Sequence, residues 1–482
     1  MSEKILEIRG EDWMKGLSYN TTLPYGGLFQ SATNFDPFRG TGIMIPSFTP
    51  LRVGDAQVTK VIQYQTTVEI SGSRFLFSWA GNDSSAAPAL YKTLILNGVT
   101  TDESSSITAT NSSARGLATT GGFLVYARDT EIRSCLLDLS TNVQILTTNV
   151  TSAEHPFTTG WDGNLYFPNG NYVGKINVTT GLAATTGNDA RAFALEANMT
   201  VRHLVNDGRY LVIMADTGVA TPSSQTTNNC MIGFWDLTSG SLAQRFDFFD
   251  GGLVGGAFMD GAIYVLGVQF MYVTNVGMFP KSIQNFLNTR SSLYLGSANR
   301  ASTIFKQGNS IYWGSSSSIF AYGSLVAGAK KVFYNPYVFN ATVSSFIFAG
   351  VLPCGATTGS QLFEIGIAPA TNATVSILTA NIPLPMPYKF DWAKITSRLT
   401  LASGDTMSFT LGSQSNTSVV TGTSTFSFAA DGAKQTKIFK TSGNSTSLSS
   451  FFEELIMTIT SNFSIEKIEV WGTKGDPQRQ NI

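Results

Sequence analysis

A turn built on glycine, a dense apolar strand, a second turn and a second strand recur along the middle of this 482-residue chain. The clearest copy is WDGNLYFPNGNYVGKINVTTGLA at 161–183. SGSRFLFSWAG, TTGGFLVYARDTEIRSCLLDLSTN, NDGRYLVIMADTG, MDGAIYVLGVQFMYVTN and KQGNSIYWGSSSSIFAYGSL repeat the pattern, and a weaker seventh copy covers 345–379. The turn glycines Gly72, Gly121, Gly163, Gly208, Gly261 and Gly308 lie 42 to 53 residues apart. A period of ~40–50 residues with several strands per unit is the spacing of β-propeller blades. A single four-stranded sheet cannot bury both its faces, whereas sheets stacked around an axis bury each against the next. FLVY, YLVIM and AIYVLGV are apolar on both faces, so they are expected as the inner two strands of each unit. The chain is therefore expected to be all-β, with about seven blades over residues 60–380.

The flanks differ from this middle. Residues 1–59 hold prolines, glycines and aromatics at irregular intervals, and read as an extended N-terminal arm laid over a surface. Trp13, Tyr25, Phe29, Phe35 and Phe38 are its expected anchors, and one of its strands is a candidate to complete the last blade. An arm with no core of its own must gain stability from a partner surface, so these five aromatics are the candidate interaction residues. Residues 381–391 contain NIPLPMPYKF, with three prolines in close succession, and read as a Pro-rich linker. Beyond it, ITSRLTL, TMSFTLG, TSTFSFA, KQTKIFK, FFEELIMTITS and SIEKIEVWG alternate with period two, which predicts a β-sandwich over 392–475. A loose tail, 476–482, ends the chain.

Charge bounds the function. Charged residues are 13% of the chain and the net charge is −1, so there is no electrostatic case for nucleic acid or an anionic membrane. Cys135, Cys230 and Cys354 are sparse and odd in number, without disulfide or metal spacing. The N-terminus has no apolar core that would mark a secretory signal, so Asn-x-Ser/Thr triplets such as Asn20, Asn177, Asn340 and Asn444 reflect composition. The uncharged run 261–279 carries Gln269, Thr274 and Asn275 and reads as two buried strands around a turn, with no membrane insertion.

No catalytic constellation emerges. His155 and His203 are the only histidines, too few for an ordinary zinc site. There is no nucleophile elbow, calcium loop or phosphate-cradling loop. The carboxylate pairs open to glycosidase chemistry are Asp247 with Asp250 and Glu453 with Glu454. Asp162, Asp207 and Asp260 sit in glycine turns, where Asp bonds its own backbone. Phe390, Trp392 and Trp471 are nominal sugar-binding aromatics, with a core role at the domain's ends as the plainer reading. The expectation is no enzyme, no cofactor and no metal.

Two stretches resemble known blades. MIGFWDLTSG at 231–240, with Trp235-Asp236, resembles the closing strand of WD-type repeats, although no unit carries the Gly-His dipeptide of that pattern. The 161–183 stretch resembles PQQ-type and Kelch-type blades. The whole layout is an arm with GGLFQSATNFDPFRGTG, a degenerate propeller, a proline linker and a sandwich ending in IEKIEVWG. It looks like the propeller-plus-sandwich structural proteins of tailed bacteriophage virions, from the tail, baseplate or fibre. That resemblance implies a non-enzymatic virion component, made in the host cytoplasm and assembled as a symmetric homo-oligomer with other virion proteins. A host-surface glycan is a further candidate partner. The rival reading is a carbohydrate-binding adhesin or a glycan-degrading receptor-binding protein.

Overall fold

The computed structural model describes residues 2–17, 28–39, 43–47, 51–53, 58–81, 86–107, 111–178, 187–218, 227–286, 301–339, 341–359, 361–364, 374–397, 405–412, 420–425, 436–440 and 452–475. Tyr25 and the tail 476–482 lie outside them. The described residues are all-β apart from three short 3-10 turns, at Gly10–Lys15, Ser104–Ser106 and Ala301–Thr303.

Six four-stranded antiparallel sheets follow one another, each made of four consecutive strands, from Ile62–Ile70 to Val332–Val338. They form a β-propeller arrangement and are called sheets 1 to 6 below. The first strands of neighbouring sheets touch, so they are the strands nearest the axis. The apolar runs picked out from the sequence are second strands. Examples are Phe123–Arg128, Leu211–Asp216 and Ala262–Gly267. They lie between their own neighbours within a sheet and between adjacent sheets, which is why both faces are apolar.

The recurring glycines are not unit starts. Each lies in the hairpin between the first and second strands, so every unit begins one strand earlier than the repeat suggested. Gly163 (φ 80°) and Gly261 (φ 75°) occupy the left-handed region that such tight turns need. The uncharged run 261–279 forms the strands Ala262–Gly267 and Phe270–Asn275 and the start of a third.

Where seven contiguous units were expected, six are found. The last four-stranded sheet, sheet 7, is composite. Val343–Ala349, Leu352–Thr357 and Gln361–Glu364 supply three strands, and the arm supplies the fourth, Leu51–Val53. Leu51 pairs with Glu364 and Val53 with Leu362. The strand Val375–Thr379, expected within this unit, has left it. It lies between Phe29–Thr33 and Phe452–Ser461 in another sheet. Val343–Ala349 packs on Ile62–Ile70, so the composite sheet bridges sheets 6 and 1.

The C-terminal part is one hydrogen-bonded sheet of nine strands. Its main path runs Glu3–Ile8, Ile465–Lys474, Ile382–Ser397, Phe452–Ser461, Val375–Thr379, Phe29–Thr33. The arm therefore forms both ends of this path. The expected linker 381–391 is part of a 16-residue strand, Ile382–Ser397. Pro383, Pro385 and Pro387 fall at alternate positions, so the donors they lack all lie on one side of the strand. The ladder breaks its register there, between Pro383 and Tyr388, and continues beyond.

A single hydrophobic core joins this sheet to the propeller. It holds Phe390, Ile395, Phe409, Met457, Ile459 and Ile468 of the sheet, and Trp13, Phe29, Phe35 and Met44 of the arm. Met259, Leu266, Phe286, Trp313 and Phe333 of sheets 5 and 6 complete it. Backbone bonds tie the parts: Leu17 N–H donates to Phe333 O at 2.8 Å, Phe35 N–H to Asn335 O at 2.9 Å and Met44 N–H to Ile465 O at 3.0 Å.

Candidate functional site

Of the four arm aromatics among the described residues, three are buried and one is half-buried. Trp13, Phe29 and Phe35 are fully buried within their own chain. Trp13 stacks on Phe29 at 6.2 Å, and Phe29 meets Phe35 edge-on at 5.5 Å. The indole N–H of Trp13 donates to Glu466 O at 3.1 Å. Phe38 is half-buried, edge-on to Tyr334 at 5.3 Å. Tyr25 is outside the described residues. The arm lacks a core of its own because it shares that of the C-terminal sheet, so the partner surface it requires is intramolecular.

The titratable candidates are dispersed. Asp247 and Asp250 share the strand Gln244–Asp250 but point to opposite faces. Asp247 is exposed and paired with Arg245 at 2.9 Å. Asp250 is buried and accepts from Gln269 N–H, Phe270 N–H and the Tyr272 hydroxyl, each within 3.1 Å. Burial pushes its carboxyl up against those bonds. Glu454 accepts from Asn381 at 3.0 Å. Neither carboxylate pair frames a sugar.

Asp162 shapes its turn: it accepts from Asn164 N–H at 3.1 Å and from the Tyr166 hydroxyl at 2.9 Å. Burial opposes its charge, but Asn164, Tyr166 and Lys175 outweigh that and hold the carboxyl below the usual range. His155 is buried with both ring nitrogens on backbone carbonyls, Pro168 O at 2.6 Å and Thr151 O at 2.9 Å. The three cysteines are buried and free, and burial lifts the Cys135 thiol to about 12. Among the described residues no group of three potential metal ligands comes together, and no helix is long and apolar enough to cross a membrane.

Two surfaces stand out instead. The first is one end of the propeller. In a four-stranded meander the first-to-second and third-to-fourth turns lie at the same end. Leu96 and Val99 occupy such a turn in sheet 1, Val276 in sheet 5, Leu325 and Val326 in sheet 6, and Val351 in sheet 7. All are exposed, Leu96 by 83% and Val351 by 80%. Trp161 and Phe279 are exposed at the same end. The sequence signal was present, as apolar residues inside glycine-rich turns (NGV, GSLVAG, AGVLP) where polar ones are usual.

The second surface is the outer face of the C-terminal sheet. Ala393 opposite Val470 and Ile395 opposite Ile468 face the core. The alternate pairs therefore face outward: Trp392 opposite Trp471, Lys394 opposite Glu469, Thr396 opposite Lys467. Register adds Lys4 opposite Trp471 on one side, and the strand Thr436–Lys440 runs beside Trp392 on the other. The two indoles are half-buried and stacked, with centroids 4.7 Å apart and planes 12° from parallel. Phe390, the third sugar-binding candidate, is fully buried in the core.

No protein-family model matches the chain. No curated protein matches it either. Among solved structures, it is similar to a catalytically inactive virginiamycin B lyase from Staphylococcus aureus. That match has 14% identity and TM-score 0.46, covering 66% of this chain and 98% of that one. It is also similar to the Dos1 propeller, at 12% identity and TM-score 0.41 over 74% of this chain and 96% of that one. The Pan2 WD40 domain of Neurospora crassa matches at 8% identity and TM-score 0.44, over 68% and 98%.

Proposed function

We propose that this protein is a non-enzymatic structural component that serves as a rigid assembly and interaction platform. The observation that carries this reading is the apolar end of the propeller. Large exposed apolar side chains spread over several turns at one end mark a surface that other proteins cover. The shared core supports rigidity, since it leaves no hinge of polar linker between the propeller and the C-terminal sheet. In this reading the composite sheet 7 is the seventh blade, and the nine-stranded sheet, folded over its core, serves as the sandwich.

The setting we propose is the virion of a tailed bacteriophage, in its tail region. Copies form a symmetric homo-oligomer and contact other virion proteins. Support for that setting comes from the resemblance of layout and from the low-charge, Thr/Ser/Asn/Gly-rich composition. Mass spectrometry of purified particles tests it. The chain is expected in stoichiometric amounts, and its absence from particles sinks the virion reading.

A further inference from the structure

The outer face of the C-terminal sheet combines two features: paired indoles and an excess of cations. We infer that this face binds an acidic glycan, with sugar rings against Trp392 and Trp471 and carboxylates against the neighbouring lysines. The inference goes beyond the platform reading and does not depend on it.

The register builds the surface. Each indole gives one ring face to the other, so the opposite faces look along the row, toward the strands Glu3–Ile8 and Thr436–Lys440. One outward pair further along, Lys394 and Glu469 face each other, and Lys467 follows. Outward pairs on adjacent rows are separated by two residues, about 7 Å of strand. A sugar ring resting its C–H face on an indole can therefore set a carboxylate within reach of a lysine in its own or the next row.

Charge favours an acidic sugar over a neutral one. Lys4 at 3.8 Å, Lys394 at 3.8 Å and Lys467 at 3.3 Å surround the single carboxylate of Glu469. That residue is only 7% exposed. Glu7 pairs with Lys4 and Arg9. Four cations thus share these two carboxylates; Asp391, next to Trp392, accepts from the Thr473 hydroxyl at 2.7 Å, and with it counted the face still keeps an excess of positive charge. A neutral glycan would leave it unanswered. A nucleic acid strand needs a continuous basic track, and Glu7 and Glu469 interrupt this one.

Affinity electrophoresis of the full chain tests the proposal, with polygalacturonate in one gel and hydroxyethyl cellulose in another. Retardation is expected in the first alone, and should weaken as salt rises. Trp392→Ala and Trp471→Ala should each raise the dissociation constant about tenfold, equivalent to the loss of ~1.4 kcal/mol. Lys394→Gln and Lys467→Gln should weaken binding and flatten its salt dependence. Phe249→Ala, at an exposed position of sheet 4 of the propeller, should change nothing. The double variant Trp392→Phe/Trp471→Phe keeps ring faces and sheet packing. It should still bind, but without the change in indole fluorescence that the polymer causes in the parent. The idea is overturned by no retardation of the parent, by equal retardation in both gels, or by tryptophan-to-alanine variants that bind as the parent does. A fluorescence change that persists in the double phenylalanine variant would place the ligand elsewhere and overturn it too.

Discussion

His203 lies on Thr200–Asn206, the strand of sheet 4 nearest the axis, and its Nδ1 accepts from Gly256 N–H at 3.2 Å. That bond requires the neutral ring, since a protonated Nδ1 would set donor against donor. Burial lowers the ring to about 4, from an ordinary 6.5. The folded state therefore binds fewer protons than the unfolded chain between those values. Stability is full above pH 6.5 and drains as pH falls toward 4, by ~3 kcal/mol from this residue. His155 is also lowered, chiefly by burial, and acts with the same sign. Denaturant midpoints measured from pH 7 to pH 4 should fall, and His203→Gln should flatten the slope. An unchanged slope in that variant would refute the assignment. Neither histidine's role was legible in the sequence. Their scarcity argued against an ordinary zinc site, but a ring turned to a neighbouring sheet's backbone depends on packing that no local pattern records.

Elements were more legible than their ownership. The alternation that marks strands and the glycine that marks their turns are local, so FLVY, YLVIM and AIYVLGV lie in strands as read. What the sequence could not assign was the sheet each strand joins. Val375–Thr379 reads as part of the last repeat and pairs instead with the arm and with Phe452–Ser461. NIPLPMPYKF reads as a break, yet its alternating prolines leave one edge of a strand usable. Trp13, Phe29 and Phe35 were legible as anchors, but not as anchors to their own chain. Deleting residues 1–45 removes both arm strands of the nine-stranded sheet and leaves Leu51–Val53 in sheet 7. On sequence grounds that deletion leaves a folded propeller. The structure adds a cost: the nine-stranded sheet loses Trp13, Phe29, Phe35 and Met44 from its core. Limited proteolysis should then cut within 375–475 while the segment 62–338 resists. Full resistance of 375–475 would show the arm to be dispensable for that sheet.

At the scale of the whole molecule, the continuous core predicts one cooperative unit where the sequence suggested two domains and a tether. Hydrogen exchange under rising denaturant should release Ile459 and Ile468 of the sheet together with Trp313 of sheet 6. Separate release of the two groups would contradict the shared core. The arm's pairings bear on how this unit is reached. Glu3 lies opposite Gly472, and Leu51 opposite Glu364. These strands thus find partners that lie hundreds of residues further along the chain. During synthesis Glu3–Ile8, Phe29–Thr33 and Leu51–Val53 wait as unpaired, β-competent segments, and sheet 7 stays one strand short whenever they go astray. Contacts of such long reach slow folding and expose open edges meanwhile. Late closure makes the three arm strands the place where a crowded cell decides between a finished fold and an aggregate.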